Sequence, residues 1–486
     1  MSSAIIFSFI YDYLECDNVY YIIKSKSKKS HGIDKEILEK VENANYSLLI
    51  FPDGASGDFG YQERLHKMNC DVLILDHHPY DVNRKTNAII INNQCESVEN
   101  TALSGTGCTY KFCFYCAEKL GIDLGCNYID LVAISLISDM CDMTSLENRY
   151  LFNLGTDLNN VSNELIKEFV NDLKIKKKIT IENIAYGISS RMNAIIRMSE
   201  GEEKESMFES LIGSEETVEY KYRGKVCKQS IQASIIRASN RLKQKQKKMI
   251  NNAISDGLDL LSNSEDRIII IDAKNISSEI RGLLCNKLVG EYSKPVMMLS
   301  GSDVLSGSCR GVNSISFKDL IVSSNLFNYA EGHTNAFGCS INRVNLEKFI
   351  KYINHKLIGV DLNNEIEIDH TYEGSIPIED VIELGELDAL WCNEIKRPKI
   401  LIKNMKIDSS RIIKRGIDLS YKDDNGVLYK RDFCSKIFYE DLICINDNPD
   451  LDKIINVDMI VEVKTFESGI SYINIVEFES NICCDN

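Results

Sequence analysis

Short apolar runs that end in acidic or imidazole side chains recur in the first 150 residues. Residues 72–75 are apolar and precede Asp76, His77 and His78, which a proline follows. Proline does not continue a central strand, so this pattern predicts a buried strand that carries three polar side chains at its carboxyl end. In open α/β sheets, ligands bind at that edge.

Two further apolar segments end in the same way. Residues 47–51 predict a strand that leads to Asp53, and residues 131–137 predict an apolar element that ends at Asp139. Taken singly, each of these residues has an ordinary structural interpretation. An Asp before glycine is typical of a turn, and an Asp after an apolar helix is typical of a surface acid. A pair of histidines is often a hydrogen-bonded group of the core. Together, they offer the carboxylate and imidazole ligands that suit Mn²⁺ or Mg²⁺. The pattern therefore favours a site for divalent cations.

The order of the apolar segments predicts a modular α/β chain. In residues 1–150, helical and strand-like segments alternate, with strands expected at 19–23, 47–51, 72–75 and 88–91; this alternation indicates a parallel sheet. A second α/β pattern covers residues 266–360. Short β-like runs separated by turn signals follow from residue 365 and predict a small antiparallel barrel.

Residues 221–250 differ from the rest in charge. They contain ten Lys or Arg and no Asp or Glu. Spaced apolar residues within them predict an amphipathic helix. The sequence leaves two interpretations open, a solvated helix that connects two domains or the cationic wall of a nucleic-acid channel.

Composition narrows the class of protein. A chain of 486 residues is too long for one core. The net charge of −16 argues against a uniformly cationic nucleic-acid coat but not against a local basic groove. No apolar run reaches the ~18–20 residues of a membrane span, and the first eleven residues lack the features of a signal peptide. The 17 cysteines are scattered, which favours reduced thiols in a cytoplasmic protein.

Seven motifs, taken in chain order, resemble those of the DHH phosphoesterases, and specifically their RecJ-like branch of single-strand exonucleases. They lie at 49–54, 76–78, 103–107, 137–139 with 147–149, 191–194, 306–310 and 332–333. Each is weak alone, and their order makes them specific. The resemblance implies a parallel-sheet DHH domain (1–150), a helical extension with a basic connecting helix (151–255), a DHH-associated α/β domain (256–362) and an OB-like β-barrel (363–486).

The resemblance also implies roles for the first group of residues. Asp53 would bridge two metal ions, and His77 and Asp139 would be ligands. Asp76 would be a ligand or would orient an imidazole. His78 would be catalytic, as a phosphate contact or a proton donor.

The resemblance also implies nucleic-acid-binding and catalytic roles for residues of the last three motifs. Ser308 and Arg310, in a loop rich in Gly and Ser, would form the pocket for the 5′ end of a strand, although a plain tight turn is the alternative. Gly332 would let His333, a second catalytic imidazole, approach the scissile phosphate. The nucleic-acid cleft would be lined by Arg191, Asn193 and Arg197, the last of which is equally consistent with a surface ion pair.

Aromatic residues of the terminal β region have two interpretations. Tyr421, Tyr429, Phe438 and Tyr439 would stack on bases, as OB-folds do, or would form the core of the barrel.

The function implied by the resemblance is hydrolysis of single-stranded DNA by a two-metal exonuclease with Mn²⁺ or Mg²⁺, in the 5′ to 3′ direction. RNA remains open as a substrate. We expect a cytoplasmic monomer without a membrane partner, active in DNA repair and recombination beside single-strand-binding protein or a helicase. Two alternatives stay open, a phosphodiesterase for short oligonucleotides or cyclic dinucleotides, and a catalytically impaired single-strand-binding accessory protein.

One departure from the family pattern motivates the last alternative. The first family motif, an Asp-x-Asp loop, would precede the first helix, and Met1 lies where that helix is expected to begin. We therefore expect that the chain lacks its native N-terminus; the other interpretation is the loss of half of a metal site.

Overall fold

The computed structural model describes residues 1–23, 32–95, 98–199, 201–222, 224–312, 314–362, 366–387, 391, 395–408, 411–415, 418–431, 454–465 and 470–480. The chain divides into two compact units. The first comprises Met1–Ser190, Glu200–Ile236 and Glu367–Asn486, and the second comprises Arg191–Ser199 and Arg237–Ile366. The four domains expected from the sequence stay a prediction.

The helices of the described residues are α1 (Ser2–Ser8), α2 (Lys35–Ala44), α3 (Phe59–Lys67), α4 (Gly105–Leu120), α5 (Ile129–Ser138), α6 (Leu146–Thr156), α7 (Glu164–Leu173), α8 (Ser190–Met198), α9 (Glu202–Leu211), α10 (Ile231–Ser255), α11 (Ser278–Tyr292), α12 (Phe317–Ser323), α13 (Arg343–Lys356) and α14 (Ile378–Glu386). Short π-helical segments cover Phe9–Tyr13 and Asn183–Ser189, and a 3₁₀ turn covers Leu158–Asn160.

The strands are β1 (Leu48–Pro52), β2 (Asp71–Asp76), β3 (Ile89–Asn92), β4 (Thr217–Tyr222), β5 (Lys225–Ser230), β6 (Ile269–Asp272), β7 (Val296–Ser300), β8 (Val304–Arg310), β9 (Phe327–His333), β10 (Ala336–Asn342), β11 (His370–Glu373), β12 (Ile400–Asp408), β13 (Ile413–Arg415), β14 (Asp418–Lys422), β15 (Leu428–Arg431), β16 (Ile454–Thr465) and β17 (Ser471–Ser480).

The predicted parallel sheet is present at the start of the first unit. Strands β1, β2 and β3 lie in that order and pair in parallel. Ile74 and Leu75 of β2 are fully buried, as expected for the middle strand of a parallel sheet. Because the three strands run in one direction, their carboxyl ends lie at the same edge.

The strand expected at residues 19–23 is absent, and that prediction was wrong. Residues 19–23 form no regular element. Tyr20 is 65% exposed and contacts the ring of Tyr46, while the ring of Tyr21 lies 4.4 Å from that of Phe208. The apolar character of this run therefore serves contacts between aromatic rings, and its backbone joins no ladder among the described strands.

The terminal β region forms a second sheet of the first unit. Its seven strands follow the order β11, β12, β16, β17, β15, β14 and β13, and the described strands do not close into a barrel. The OB-like barrel therefore stays a prediction. Tyr421 and Tyr429 are 4% and 0% exposed and belong to the core of this sheet, so they do not offer faces to bases. Phe438 and Tyr439 lie outside the described residues.

The second unit contains a five-stranded sheet in the order β6, β7, β8, β10 and β9. The expected loop around Ser308 and Arg310 is instead part of β8, which pairs on both sides, with β7 and β10. The glycine that suggested a loop has a different cause. A Cβ on Gly307 would lie 1.7 Å from the carbonyl oxygen of Met298, so the residue permits close strand packing.

The amphipathic helix predicted within the basic segment 221–250 is present as α10, which contains all the spaced apolar positions on which the prediction rested. The first part of the segment lies in an antiparallel ribbon of β4 and β5, and α10 begins only at Ile231. The exposure of residues 217–220 and 226–230 alternates with a period of two, which is the pattern of strands. Among the described helices, none combines the length and the apolar character that crossing a membrane requires.

Candidate metal centre

The ends of β1 and β2 bring the first candidate residues together. Pro52 of β1 pairs with Leu75 of β2, so Asp53 and Asp76 leave the sheet at the same edge. The backbone N–H of Asp53 donates a hydrogen bond to the carbonyl oxygen of Leu75 at 2.7 Å. Asp53 has a φ of 66°, a conformation that Asp tolerates better than most residues, and the chain turns sharply there.

Four side chains form a compact cluster at this edge. One ligand atom from each of Asp53, Asp76, His77 and His78 lies within 4.8 Å of all the others. The structure therefore assembles two carboxylates and two imidazoles from the ends of two strands.

Asp76 is the buried anchor of the cluster. Its side chain is fully buried and accepts hydrogen bonds from the backbone N–H groups of Ser56, His77 and His78 at 3.2, 2.7 and 3.2 Å. Burial alone would raise the pKa of this carboxyl, but these bonds and that of the His78 ring lower it to about 2. Asp76 is therefore a carboxylate at neutral pH.

The two imidazoles have different surroundings. Nδ1 of His78 lies 2.7 Å from Oδ1 of Asp76, and this bond raises the pKa of the ring although partial burial opposes it. His78 is half exposed, with 53% of its side chain accessible, so its Nε2 remains for a substrate. His77 is more buried, and its Nε2 lies 3.4 Å from Oδ1 of Asp53.

Asp53 is held against the start of α4. A Cβ on Gly105 would lie 2.2 Å from Oδ1 of Asp53, so only glycine leaves room for this carboxylate. Burial would raise the pKa of Asp53, but the hydrogen bond and charge of His77 and the charge of His78 more than offset it and keep the pKa low. The first glycine of the small-residue motif at 103–107 thus makes room for the carboxylate of Asp53.

Asp139 lies near the cluster but outside the group of four. It caps the carboxyl end of α5, the apolar helix predicted at residues 131–137. Burial and, after it, the charge of Asp53 raise the pKa of Asp139 to about 6. Two carboxylates that repel each other across a small distance are the arrangement that a cation relieves.

The amino group of Met1 is also buried beside these acids. Burial lowers its pKa, and the charges of Asp53 and Asp139 act in the opposite direction.

The donor set fits a hard divalent cation. Oxygen and imidazole ligands suit Mn²⁺ and Mg²⁺, and the charge of Asp53 adds to burial in raising the pKa of Asp139. Asp53, His77 and Asp139 would be the ligands with open lone pairs, since Asp76 already uses its oxygens on three N–H groups and a ring nitrogen. This favours the orienting role for Asp76.

Sequence reasoning missed a buried support for this site. Asn92 ends β3 directly opposite Asp76 in the register. Its Nδ2 donates to Oγ of Ser56 at 2.9 Å and to the carbonyl oxygen of His78 at 3.0 Å. The rule that located Asp53 and Asp76, a polar residue at the carboxyl end of a parallel strand, applies equally to Asn92 and would have found it.

The remaining candidates lie in the second unit. Arg191, Asn193 and Arg197 follow one another along α8, and Ser308 and Arg310 lie on β8. Burial lowers the pKa of Arg197, and the charge of Arg310 lowers it further, so the two cations repel each other. The ion pair considered for Arg197 does not occur among the described residues, because no described acid partners it.

Gly332 and His333 end β9, one of the two edge strands of the five-stranded sheet. Gly332 has a φ of 128°, and a Cβ there would meet the carbonyl oxygen of Ala336 at 2.8 Å, so glycine is required by backbone packing. His333 is exposed. Its role at a scissile phosphate stays a prediction.

Known proteins place this chain in a family. No family model matches it. It is 31% identical, over 433 residues, to a protein of Bacillus subtilis (strain 168) named "Putative SPbeta prophage-derived single-strand DNA-specific exonuclease YorK", with 85% of this chain and 73% of that protein covered.

Two solved structures share the fold. RecJ of Thermus thermophilus in complex with Mn²⁺ matches with a TM-score of 0.73 at 15% identity, covering 99% of this chain and 67% of that one. An exonuclease RecJ bound to manganese matches with a TM-score of 0.57 at 16% identity, covering 74% and 87%. With the ordered motifs and the cluster at the strand ends, these similarities show that the chain belongs to the RecJ-like branch of the DHH phosphoesterases, a family of nuclease hydrolases.

Proposed function

We propose that this chain is an exonuclease that hydrolyses the phosphodiester bonds of single-stranded DNA with Mn²⁺ or Mg²⁺, beginning at the 5′ end. The observation that carries the proposal is the cluster of Asp53, Asp76, His77 and His78, whose ligand atoms lie within 4.8 Å of one another. The name of the Bacillus subtilis relative supports the substrate, and the ions of the RecJ structures support the requirement for a divalent metal.

The residues of the first unit would have separate roles in metal binding and proton transfer. Asp53, His77 and Asp139 would hold two ions, which supply a water nucleophile and neutralise charge on the phosphate in the transition state. Asp76 keeps the Nδ1 proton of His78 in place through the bond of 2.7 Å. His78 would then contact the phosphate or give a proton to the leaving oxygen from Nε2.

The residues of the second unit would hold the strand. Arg310 and Arg197 repel each other and have no acidic partner among the described residues, an arrangement that a phosphate would stabilise. Ser308, Arg191 and Asn193 would add hydrogen bonds to the backbone of the strand, and His333 with Gly332 would contact the scissile phosphate. We propose that the enzyme acts as a cytoplasmic monomer in DNA repair and recombination, with single-strand-binding protein or a helicase beside it.

The test is release of labelled nucleotides from single strands in Mn²⁺. Strands labelled at the 5′ or the 3′ end would be incubated with the wild type, Asp53→Asn, Asp76→Asn and, as a control, His66→Ala. His66 is exposed on α3. We expect early release of the 5′ label by the wild type and the control, and a loss of about 100-fold or more in both Asp variants, since even supporting residues of metal sites cost ~10–100-fold.

The other outcomes separate the alternatives. Early release of the 3′ label alone would reverse the proposed direction. Hydrolysis of dinucleotides or cyclic dinucleotides without attack on long strands would favour the phosphodiesterase. Binding of single strands without release by any form would contradict the nuclease and favour the accessory protein.

A further inference from the structure

The ribbon of β4 and β5 is a basic exposed feature of the first unit. Residues 217–230 contain four Lys or Arg and one acid, Glu219, in a protein whose net charge is −16. Within the described strands, the ribbon is a two-stranded sheet that pairs with no third strand. Its charge is therefore local and opposite in sign to that of the whole chain.

The pairing register gives the ribbon one outward face. Glu219 lies opposite Lys228, and Thr217 lies opposite Ser230; all four are exposed. Their neighbours along each strand are half-buried, which is the alternation of a ribbon with one face against the protein. The outward face is thus available to a partner.

Two exposed lysines lie on β5 of the ribbon. Lys225 and Lys228 are exposed, and their ammonium groups form no hydrogen bond or ion pair with any residue that the structure describes. Lys228 lies on the outward face with Val226, which is 60% exposed, whereas Lys225, at the turn end of β5, lies on the other face. Exposed lysines discourage edge-to-edge association of a ribbon, but here they also lie beside an exposed β-branched side chain.

The base of the ribbon is anchored. The backbone N–H of Ile231 donates to the carbonyl oxygen of Glu216 at 3.0 Å. The buried Gln232 donates from Nε2 to the carbonyl oxygen of Ser214 at 2.8 Å. An isolated two-stranded hairpin is marginally stable in water, so these contacts hold the ribbon in one direction at the start of α10.

From this geometry we propose that the β4–β5 ribbon is a binding surface for the phosphate backbone of single-stranded DNA, separate from the metal centre. The inference rests on the proposed function. Lys228 on the outward face and Lys225 at the turn end would each contact a phosphate, and Glu219, opposite Lys228, would limit the affinity by repelling the strand. Contacts of this kind are independent of base sequence and release counterions.

The test measures binding of a fluorescent oligothymidine by the full chain in EDTA, as a function of salt. For single strands, the slope of log K against log salt changes by about 0.7 for each phosphate contact. We expect Lys225→Ala/Lys228→Ala to reduce the slope by about 1.4, twice the value for one contact, and Glu219→Gln to strengthen binding at low salt.

The matched control is Lys35→Ala/Lys176→Ala, which removes the same charge from exposed lysines of the same unit that also lack a described ion pair. It should leave the slope unchanged. A slope for the ribbon variant equal to that of the wild type would overturn the proposal, as would an equal reduction in the control. Failure of the wild type to bind or cleave single strands at all would instead contradict the proposed function.

Discussion

Asp76 and Asn92 end neighbouring parallel strands at paired positions, and Ser56 joins their side chains. Ser56 donates its N–H to Oδ2 of Asp76 at 3.2 Å and accepts at Oγ from Nδ2 of Asn92 at 2.9 Å. The same amide of Asn92 donates to the carbonyl oxygen of His78. The residue that orients the imidazole and the residue that holds its backbone are therefore parts of one network.

Asn92→Ala should impair the site more than the fold. It removes the donor to Ser56 and His78, and residues that support a metal site cost ~10–100-fold in affinity or activity when lost. We expect a loss of that size in Mn²⁺ affinity and in kcat. Asn171→Ala, at an exposed position of α7, is the control. Equal Mn²⁺ affinity in Asn92→Ala and the wild type would show that Asn92 only fills space.

Gly105→Ala should displace Asp53. The added Cβ would lie 2.2 Å from Oδ1 of this carboxylate, a separation that real Cβ atoms do not show. We expect Mn²⁺ binding, measured by titration calorimetry, to fall about 10-fold or more. In Gly60→Ala, a Cβ meets nothing within 4 Å, so binding should be unchanged. Unchanged binding in Gly105→Ala would mean that Asp53 does not hold the ion.

Added Mn²⁺ should stabilise the protein through the same residues. A ligand that binds only the folded state raises the free energy of unfolding by about 2.7 kcal/mol at about 100 times its Kd. We expect Mn²⁺ to raise the urea midpoint of the wild type and of His66→Ala, and to have little effect on Asp53→Asn or His77→Ala. An equal rise in all four would place the ion elsewhere.

The motif 147–149 predicts a contrast between two neighbours. Asn148 is fully buried and donates from Nδ2 to the carbonyl oxygens of Ala102 and Asp142 at 3.0 and 2.8 Å. Asn148→Ala leaves these acceptors unpaired and should lower the free energy of unfolding by about 2–3 kcal/mol.

The adjacent Glu147 forms an ion pair with Lys111 at 2.7 Å, and both side chains are partly exposed. Lys111→Ala should therefore cost less than about 1 kcal/mol. Urea unfolding of the two variants measures both values. A larger loss in Lys111→Ala than in Asn148→Ala would contradict the assignment of Asn148 as the structural member of the motif.

Local sequence patterns were sufficient to predict the strands and the helix around the metal centre. The apolar runs that end at Asp53 and Asp76 form β1 and β2, and the apolar helix before Asp139 forms α5. These predictions succeeded because a buried strand or helix needs a continuous apolar run, and such a run is visible in the sequence. The run at 19–23 failed because its aromatic side chains contact other rings instead of a neighbouring strand.

By itself, the sequence determined the parallel sheet, the polar residues at its strand ends and the membership in the family, since these follow from apolar periodicity and ordered motifs. Only the tertiary structure decided how the polar residues are connected. The contact of His77 with Asp53, the room that Gly105 leaves for Asp53 and the support from Asn92 join residues from separate strands and helices. Their geometry depends on strand register and helix packing, which act over distances that no local pattern records.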